Sequence, residues 1–231
     1  MHDSNRLVAV ILGLRKSLLS LGLTLAAATA LHLLLAPYTL AFLQGHLNQE
    51  LAYFTVAEPF LARIKLALAL ALFTLAPVFA YWFWRALATP FKLQGATFFW
   101  FVTATCLLFY AGALFCYFIT LPFGTNFLLG FQSAQLKPVI AVGKFVSFVT
   151  LFVLAFGVIF ELPIFMLFSA KTRLIPRKTF EDNRRYAILA ISIIAALLTP
   201  TPDVVNMLLM ATPLYLLYEA GIMAMKLLRI S

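Results

Sequence analysis

Charged side chains are scarce in this chain. Of its 231 residues, 17 are basic and 8 are acidic, whereas 24 are phenylalanine and 64% are hydrophobic. Soluble domains carry about 25% charged residues, but this chain has 11%, and its mean hydropathy is +1.00. Too few polar side chains are present to cover a core, which excludes a water-soluble fold. We therefore predict one integral membrane domain over residues 1–231, with membrane lipid as its solvent.

The sequence also lacks the usual signals for catalysis. It contains no HExxH, GxSxG or Walker motif, and its histidines, His2, His32 and His46, are scattered along the chain. Cys106 and Cys116 lie in one apolar run, about 15 Å apart on a helix, which is too far for a disulfide, and we assign them no function. We predict no enzymatic activity, no metal site and no cofactor.

Six apolar runs account for most of the chain, and about 20 residues are needed for a helix to cross the hydrocarbon core. The runs cover residues 17–35, 60–87, 97–121, 145–170, 186–198 and 204–225. The fifth run has 13 residues, about 20 Å of helix, so it is either a short span in a thinned bilayer or half of a re-entrant hairpin. We favour two spans because Pro200, Pro202 and Asp203 form a turn suited to water. Asp203 is also the expected cap of the sixth helix.

The positions of the basic residues predict the orientation of these spans. A net charge of +9 suits nucleic acid only when Lys and Arg form a stripe on one face, whereas here they lie in gaps between apolar runs, so we expect no nucleic-acid partner. Thirteen of the 17 fall on one predicted side of the membrane, and the other side keeps Arg63, Lys65, Lys137 and Lys144. Basic loops stay cytoplasmic. Both termini are therefore predicted to be cytoplasmic, in an all-α membrane protein with six transmembrane helices.

Glu161 is the most informative polar residue. It lies inside the fourth run, where an ionised carboxylate costs about 3 kcal/mol or more. Pro163 lacks an N–H and leaves the carbonyl of Ile159 unbonded, which predicts a kinked fourth helix. We expect a polar notch at Glu161, with Lys65 as its candidate partner. The alternative is a protonated Glu161 that only hydrogen-bonds to a neighbouring helix.

Other residues are predicted to have structural or interface roles. Glu58 and Pro59 suit a helix start, and Glu219 can share a helix face with Tyr215 near the cytoplasmic interface. Tyr81, Trp82 and Trp84 fit an aromatic belt at the membrane surface. The complete predicted structural set is Pro37, Glu58, Pro59, Pro77, Pro163, Asp203 and Glu219.

Several motifs, in order along residues 37–229, resemble the TatC family, the six-span core and receptor subunit of twin-arginine protein translocases. The motif FG-x-x-FE-x-P around Glu161 is the most specific of them. The others are AEPF at 57–60, APVFAYWFWR at 76–85, LLFYAGALFCYFITLPF at 107–123, RRYAILA at 184–190, LLTPTPD at 197–203 and LLYEAG at 216–221.

The resemblance implies a cup-shaped receptor with a kinked fourth helix and short fifth and sixth helices. It further implies a multi-pass protein of the plasma (inner) membrane that binds the twin-arginine signal peptides of folded cargo. TatA/TatB-type single-span proteins are the implied partners, in a homo- or hetero-oligomer surrounded by membrane lipid. Proton-motive force is the implied energy source.

The implied signal-peptide face includes Arg15 and Gln94. The family has a glutamate pair before Leu-Arg, where this chain has Leu12 and Gly13, and a loop glutamate where spacing places Gln94. Glutamine accepts a hydrogen bond but carries no charge. Two other interpretations remain open: a proton- or cation-coupled transporter that uses Glu161, and a divergent family scaffold with weakened signal recognition.

Overall fold

The protein is helical almost throughout the residues that its computed structural model describes, which are 19–47, 51–91, 95–129, 140–198 and 204–228. This confirms the all-α prediction. The helices are α1 Leu19–His32, α2 Ala36–Leu47, α3 Glu58–Thr74, α4 Ala76–Phe91, α5 Ala96–Phe115, α6 Leu121–Leu129, α7 Val142–Ile159, α8 Leu162–Lys171, α9 Arg177–Asp182, α10 Arg184–Leu198 and α11 Val204–Leu227.

One short strand pair was not predicted. Strand β1, Leu51–Ala52, runs parallel to β2, Ile140–Ala141, with Leu51 opposite Ile140. Two residues are too few for the period-2 alternation that indicates a strand in a sequence, so this pairing leaves no sequence signal.

The chain divides into two compact units. Unit 1 takes the described residues up to Leu75 together with 140–150, and its core includes small and aliphatic side chains: Ala62, Leu66, Ala67, Ala71 and Val146. Unit 2 takes the described residues from Ala76 to 129 and from Leu151 onward, with large buried side chains: Trp84, Phe101, Phe156, Ile164, Leu214, Ile222 and Met225. The single-domain assignment stays a prediction.

Prolines mark several of the helix starts. Pro37 and Pro77 are the second residues of α2 and α4, where a missing N–H breaks no helical hydrogen bond. Helices α1 and α2 are bent by 68° at the break before Ala36, and the predicted run 60–87 is two helices, separated at Leu75. The two helices together remain long and apolar enough for one span.

The predicted interruption of the fourth run is confirmed. Helix α7 ends at Ile159 and α8 begins at Leu162, with Pro163 in its first turn. At the break, the N–H of Glu161 donates to the carbonyl of Val158 at 3.1 Å, a tighter turn than the α-helical bond.

A widened turn, also not predicted, interrupts the third run. Residues Cys116–Thr120 form a π-helical turn between α5 and α6, in which the N–H of Leu121 donates to the carbonyl of Cys116. Pro122 follows directly, and its ring would crowd the carbonyl of Phe118 in a regular α-helix. The wider turn relieves that contact.

Helix lengths bear on the number of spans. Residues Ala96–Thr125 and Val142–Lys171 are long and apolar enough to cross a membrane, and the pairs α1–α2 and α3–α4 bring the number to four if each pair is one span. Helix α10 has 15 residues, about 22 Å, and is short as predicted. Helix α11 has 24 residues, about 36 Å, so the expectation of a short sixth helix is wrong. It is long because the helix continues through Pro213. The count of six spans stays a prediction.

Candidate functional site: an intramembrane glutamate and two polar clusters

Glu161 lies at the break between α7 and α8, and only 6% of it is exposed. The hydroxyl of Thr105 and the backbone of Phe109, both on α5, flank its carboxyl group. Neither makes a hydrogen bond of standard geometry to the carboxyl oxygens, which have no such bond to any described residue. The result is a buried carboxyl group that faces one polar side chain of a neighbouring helix, and the polar notch stays a prediction.

Reciprocal contacts between glycines and phenylalanines bring α5 close to α7 beside this carboxyl group. A Cβ on Gly112 of α5 would lie 2.6 Å from the carbonyl oxygen of Phe156 and 2.6 Å from Cγ of Phe160. In return, a Cβ on Gly157 of α7 would lie 2.7 Å from the ring of Phe109. Small residues at such crossings let the helix backbones approach each other. The two glycines therefore fix the distance between Glu161 and α5.

Trp84 supports the same part of Unit 2 from α4. Its indole N–H donates to the hydroxyl of Thr105 at 2.9 Å, and its ring stacks on Phe101 with centroids 4.6 Å apart. Trp84 is completely buried, so its assignment to an aromatic belt is wrong. It is buried because both its ring and its N–H find partners inside the protein.

A second polar cluster joins α10 to α11. The guanidinium of Arg184 donates from Nε to Oε1 of Glu219 at 2.8 Å and from a terminal nitrogen to Oε2 at 3.2 Å. The hydroxyl of Tyr215 donates to the same Oε1 at 2.9 Å. The expected sharing of a face by Tyr215 and Glu219 is thus found, while Arg184, 35 positions away from Glu219, carried no sequence signal as its partner. Two-pronged Arg–carboxylate contacts are geometrically specific.

The short helix α9 is held to α11 by further polar contacts. Glu181 lies 3.4 Å from Nε of Arg177 and 3.3 Å from Nζ of Lys226. The hydroxyl of Tyr218 donates to the carbonyl of Phe180 at 2.7 Å. Helix α9 was not predicted, because a six-residue segment after Pro176 with five polar side chains resembles a loop in sequence.

In Unit 1, the beginnings of α3 and α7 form the third cluster, which we call the Glu58 groove. The N–H groups of Phe54 and Gly143 donate to the Glu58 carboxylate at 2.9 and 3.0 Å. Nζ of Lys65 donates to Oγ of Ser147 at 2.9 Å. These hydrogen bonds from Phe54 and Gly143 hold the pKa of the Glu58 carboxyl group below its usual value. Glu58 lies just before the apolar run that starts at residue 60.

Several predicted site residues can now be placed. Lys65 belongs to Unit 1 and Glu161 to Unit 2, and their pairing stays a prediction. Glu58 and Pro59 begin α3 as expected. Arg15, Gln94 and Asp203 lie outside the described residues. Within the described ranges, no three His, Cys, Asp or Glu residues are grouped as a metal site would require.

The comparisons with known proteins agree with the order of the motifs. The model of the family described as "Sec-independent protein translocase protein (TatC)" matches residues 9–213. The chain belongs to the TatC family. It is therefore a subunit of the twin-arginine, Sec-independent protein translocase, and the resemblance found in its sequence is confirmed.

The matches between this TatC family member and individual relatives cover most of both chains. The "Sec-independent protein translocase protein TatC" of Carboxydothermus hydrogenoformans is 35% identical over 200 residues, which is 86% of this chain and 80% of the relative. That of Aquifex aeolicus is 37% identical over 188 residues, 80% of this chain and 78% of the relative. A solved structure titled "Crystal Structure of Twin Arginine Translocase Receptor- TatC" has a TM-score of 0.81 at 33% identity, covering 93% of this chain and 96% of that one.

Proposed function

We propose that this TatC family member binds twin-arginine signal peptides on its cytoplasmic face and assembles with TatA/TatB-type single-span proteins. In this proposal it crosses the plasma (inner) membrane six times with both termini in the cytoplasm, and the proton-motive force drives export of the folded cargo. The observation that carries the proposal is the family match over residues 9–213, which includes nearly every motif identified in the sequence.

We further propose that recognition here depends less on arginine charge than in the family pattern. Leu12, Gly13 and Gln94 replace the three expected glutamates, and charge-assisted hydrogen bonds are about twice as strong as neutral ones. Two acids of the α9–α11 region, Glu181 and Glu219, are poor substitutes, because they already pair with cations of the same chain.

Crosslinking of a signal peptide tests this receptor proposal. The protein would be expressed with its own TatA/TatB-type partners and presented with an Arg-Arg peptide or its Lys-Lys variant, before and after Gln94→Glu. We expect weak discrimination by the native chain and stronger discrimination after Gln94→Glu. Gln135→Glu, in the loop between the third and fourth runs, is the matched control. Strong native discrimination that Gln94→Glu does not increase would contradict a weakened receptor site.

Two further measurements test the assembly and the topology. Pull-down of the tagged chain should recover the single-span partners, and their absence under conditions that preserve export would contradict the assembly. A single cysteine introduced as Asp203→Cys should react with a membrane-impermeant maleimide added from outside the cell. Labelling only after permeabilisation would place residue 203 in the cytoplasm and favour the re-entrant hairpin.

A further inference from the structure

The Glu58 groove is an open cavity of about 440 Å³ between α3 and α7. On α3 its lining residues are spaced as one face of a helix, Glu58, Leu61, Ala62 and Lys65. Across from them, α7 contributes Gly143, Lys144 and Ser147. All of these residues belong to Unit 1, so the groove is defined within one compact body.

The charges of this groove favour an anion. The groove lining contains two cations, Lys65 and Lys144, and one carboxylate, that of Glu58. The Glu58 carboxylate already accepts hydrogen bonds from two backbone N–H groups. An ammonium has three donor hydrogens, and Lys65 uses one of them on Ser147. Neither lysine has an ion pair within 4.0 Å among the described residues. Helices α3 and α7 also both begin here, and helix N-termini carry partial positive charge.

Residues that neighbour the groove lining along the chain are apolar and exposed, and we call them the rim. Tyr53, Phe54 and Phe60 are exposed, and Val56 is 96% exposed. Aromatic side chains that are exposed at the start of an apolar helix are typical of the lipid head-group region. A ligand that meets both surfaces must carry an anionic group for the lysines and a hydrocarbon part for the rim.

We propose that the Glu58 groove binds the phosphate group of an anionic membrane phospholipid, whose acyl chains lie along this rim. The ammonium groups of Lys65 and Lys144 donate to the phosphate oxygens, because lysine binds phosphate as a point charge. With the orientation proposed above, the lipid comes from the outer leaflet. The site is separate from the proposed cytoplasmic signal-peptide face and does not depend on it.

Native mass spectrometry of the full-length protein in a neutral detergent, titrated with phosphatidylglycerol, tests this site. Lys65→Gln and Lys144→Gln should each weaken binding about fivefold, since a basic residue near an anionic lipid surface contributes about that factor. Arg63→Gln is the matched control, because Arg63 is exposed on α3 but does not line the groove. Arg63→Gln should change binding less than twofold, and Lys65→Arg should preserve most of it.

Three results would overturn the proposal. The first is an equal loss in Arg63→Gln and in both groove variants, which would indicate only general surface charge. The second is displacement of phosphatidylglycerol by equimolar inorganic phosphate, which would make the groove a site for small anions. The third is unchanged binding in Lys144→Gln; Lys144 is exposed, so this variant keeps the test decisive even if Lys65→Gln does not fold.

Discussion

The contact between α5 and α7 allows a quantitative test, because a single methyl group at Gly112 has no room. In Gly112→Ala the new Cβ would meet the backbone oxygen of Phe156 at 2.6 Å and the Cγ and Cβ atoms of Phe160 at 2.6 and 2.7 Å. Carbon contacts are optimal at about 3.5–4.0 Å. The carbonyl oxygen of Phe156 and the Cβ and Cγ atoms of Phe160 cannot rotate away from the new methyl group. The two helices must therefore separate.

The expected change in the free energy of unfolding is the sum of two opposing contributions. Overpacking a close helix contact costs about 1–3 kcal/mol, whereas Ala gains about 1 kcal/mol over Gly inside a helix. We expect Gly112→Ala to lower the free energy of unfolding by about 0–2 kcal/mol, or the melting temperature by up to about 8 °C, and to be about 1–3 kcal/mol less stable than a variant that has the helix gain alone. Gly22→Ala in α1 is the control, because nothing lies within 4 Å of its new Cβ. It measures only the gain of Ala over Gly inside a helix, and should leave the free energy of unfolding equal or higher.

Thermal unfolding in detergent, followed by helical circular dichroism, measures both variants. Gly157→Ala adds an internal check: its Cβ would meet the outer atoms of the Phe109 ring, with Cε2 at 2.7 Å. That ring can turn, so a smaller loss than for Gly112→Ala is expected. If Gly112→Ala melted at the same temperature as Gly22→Ala, the helices would not be as close as described, and the reasoning about Glu161's position would be refuted.

Three other polar contacts make predictions of their own. Trp84→Phe removes the hydrogen bond to Thr105 and part of a buried ring, and should lower stability by about 1–3 kcal/mol in the same thermal assay; an unchanged melting temperature would show that the bond contributes nothing. Tyr218→Phe loses a hydroxyl that donates to a backbone carbonyl, at a cost of about 1 kcal/mol, and amide exchange in α9 should accelerate; equal exchange would argue against that contact as an anchor. Glu219→Gln leaves Arg184 without a charged acceptor, so trypsin should cleave after Arg184 faster than in the unmodified protein, and equal rates would show that this pair does not hold α10 to α11.

Local signals explain what could be predicted from the sequence. The apolar runs placed the long helices, because burial in lipid and in the protein demands the same residue types there. Pro163 placed the break beside Glu161 correctly, since a missing N–H has a fixed geometric effect. Glu58 and Pro59 likewise marked the start of α3, because an acid and a proline suit the first turn of a helix.

Long-range contacts explain what could not be predicted. Arg184 and Glu219 are 35 positions apart, and nothing in either neighbourhood singles out the other residue. The Glu58 groove depends on Gly143, 85 positions away, and Trp84 looked interfacial until its ring and N–H were seen to have partners inside the protein. Side-chain pairing across helices is set by packing, which composition and periodicity do not encode.

The pairing of β1 with β2, together with the bond from Gly143 to Glu58, has a consequence for the order of events during synthesis. The two parts of Unit 1 are separated by the first segment of Unit 2, residues 76–138, and parallel strands need a crossover of about a dozen residues or more. At about 5–20 residues per second, the 85 positions between Glu58 and Gly143 take about 4–17 seconds to translate. During that interval α3 is already made while its carboxylate still lacks one of its two partners, so Unit 1 is finished only after part of Unit 2 has emerged.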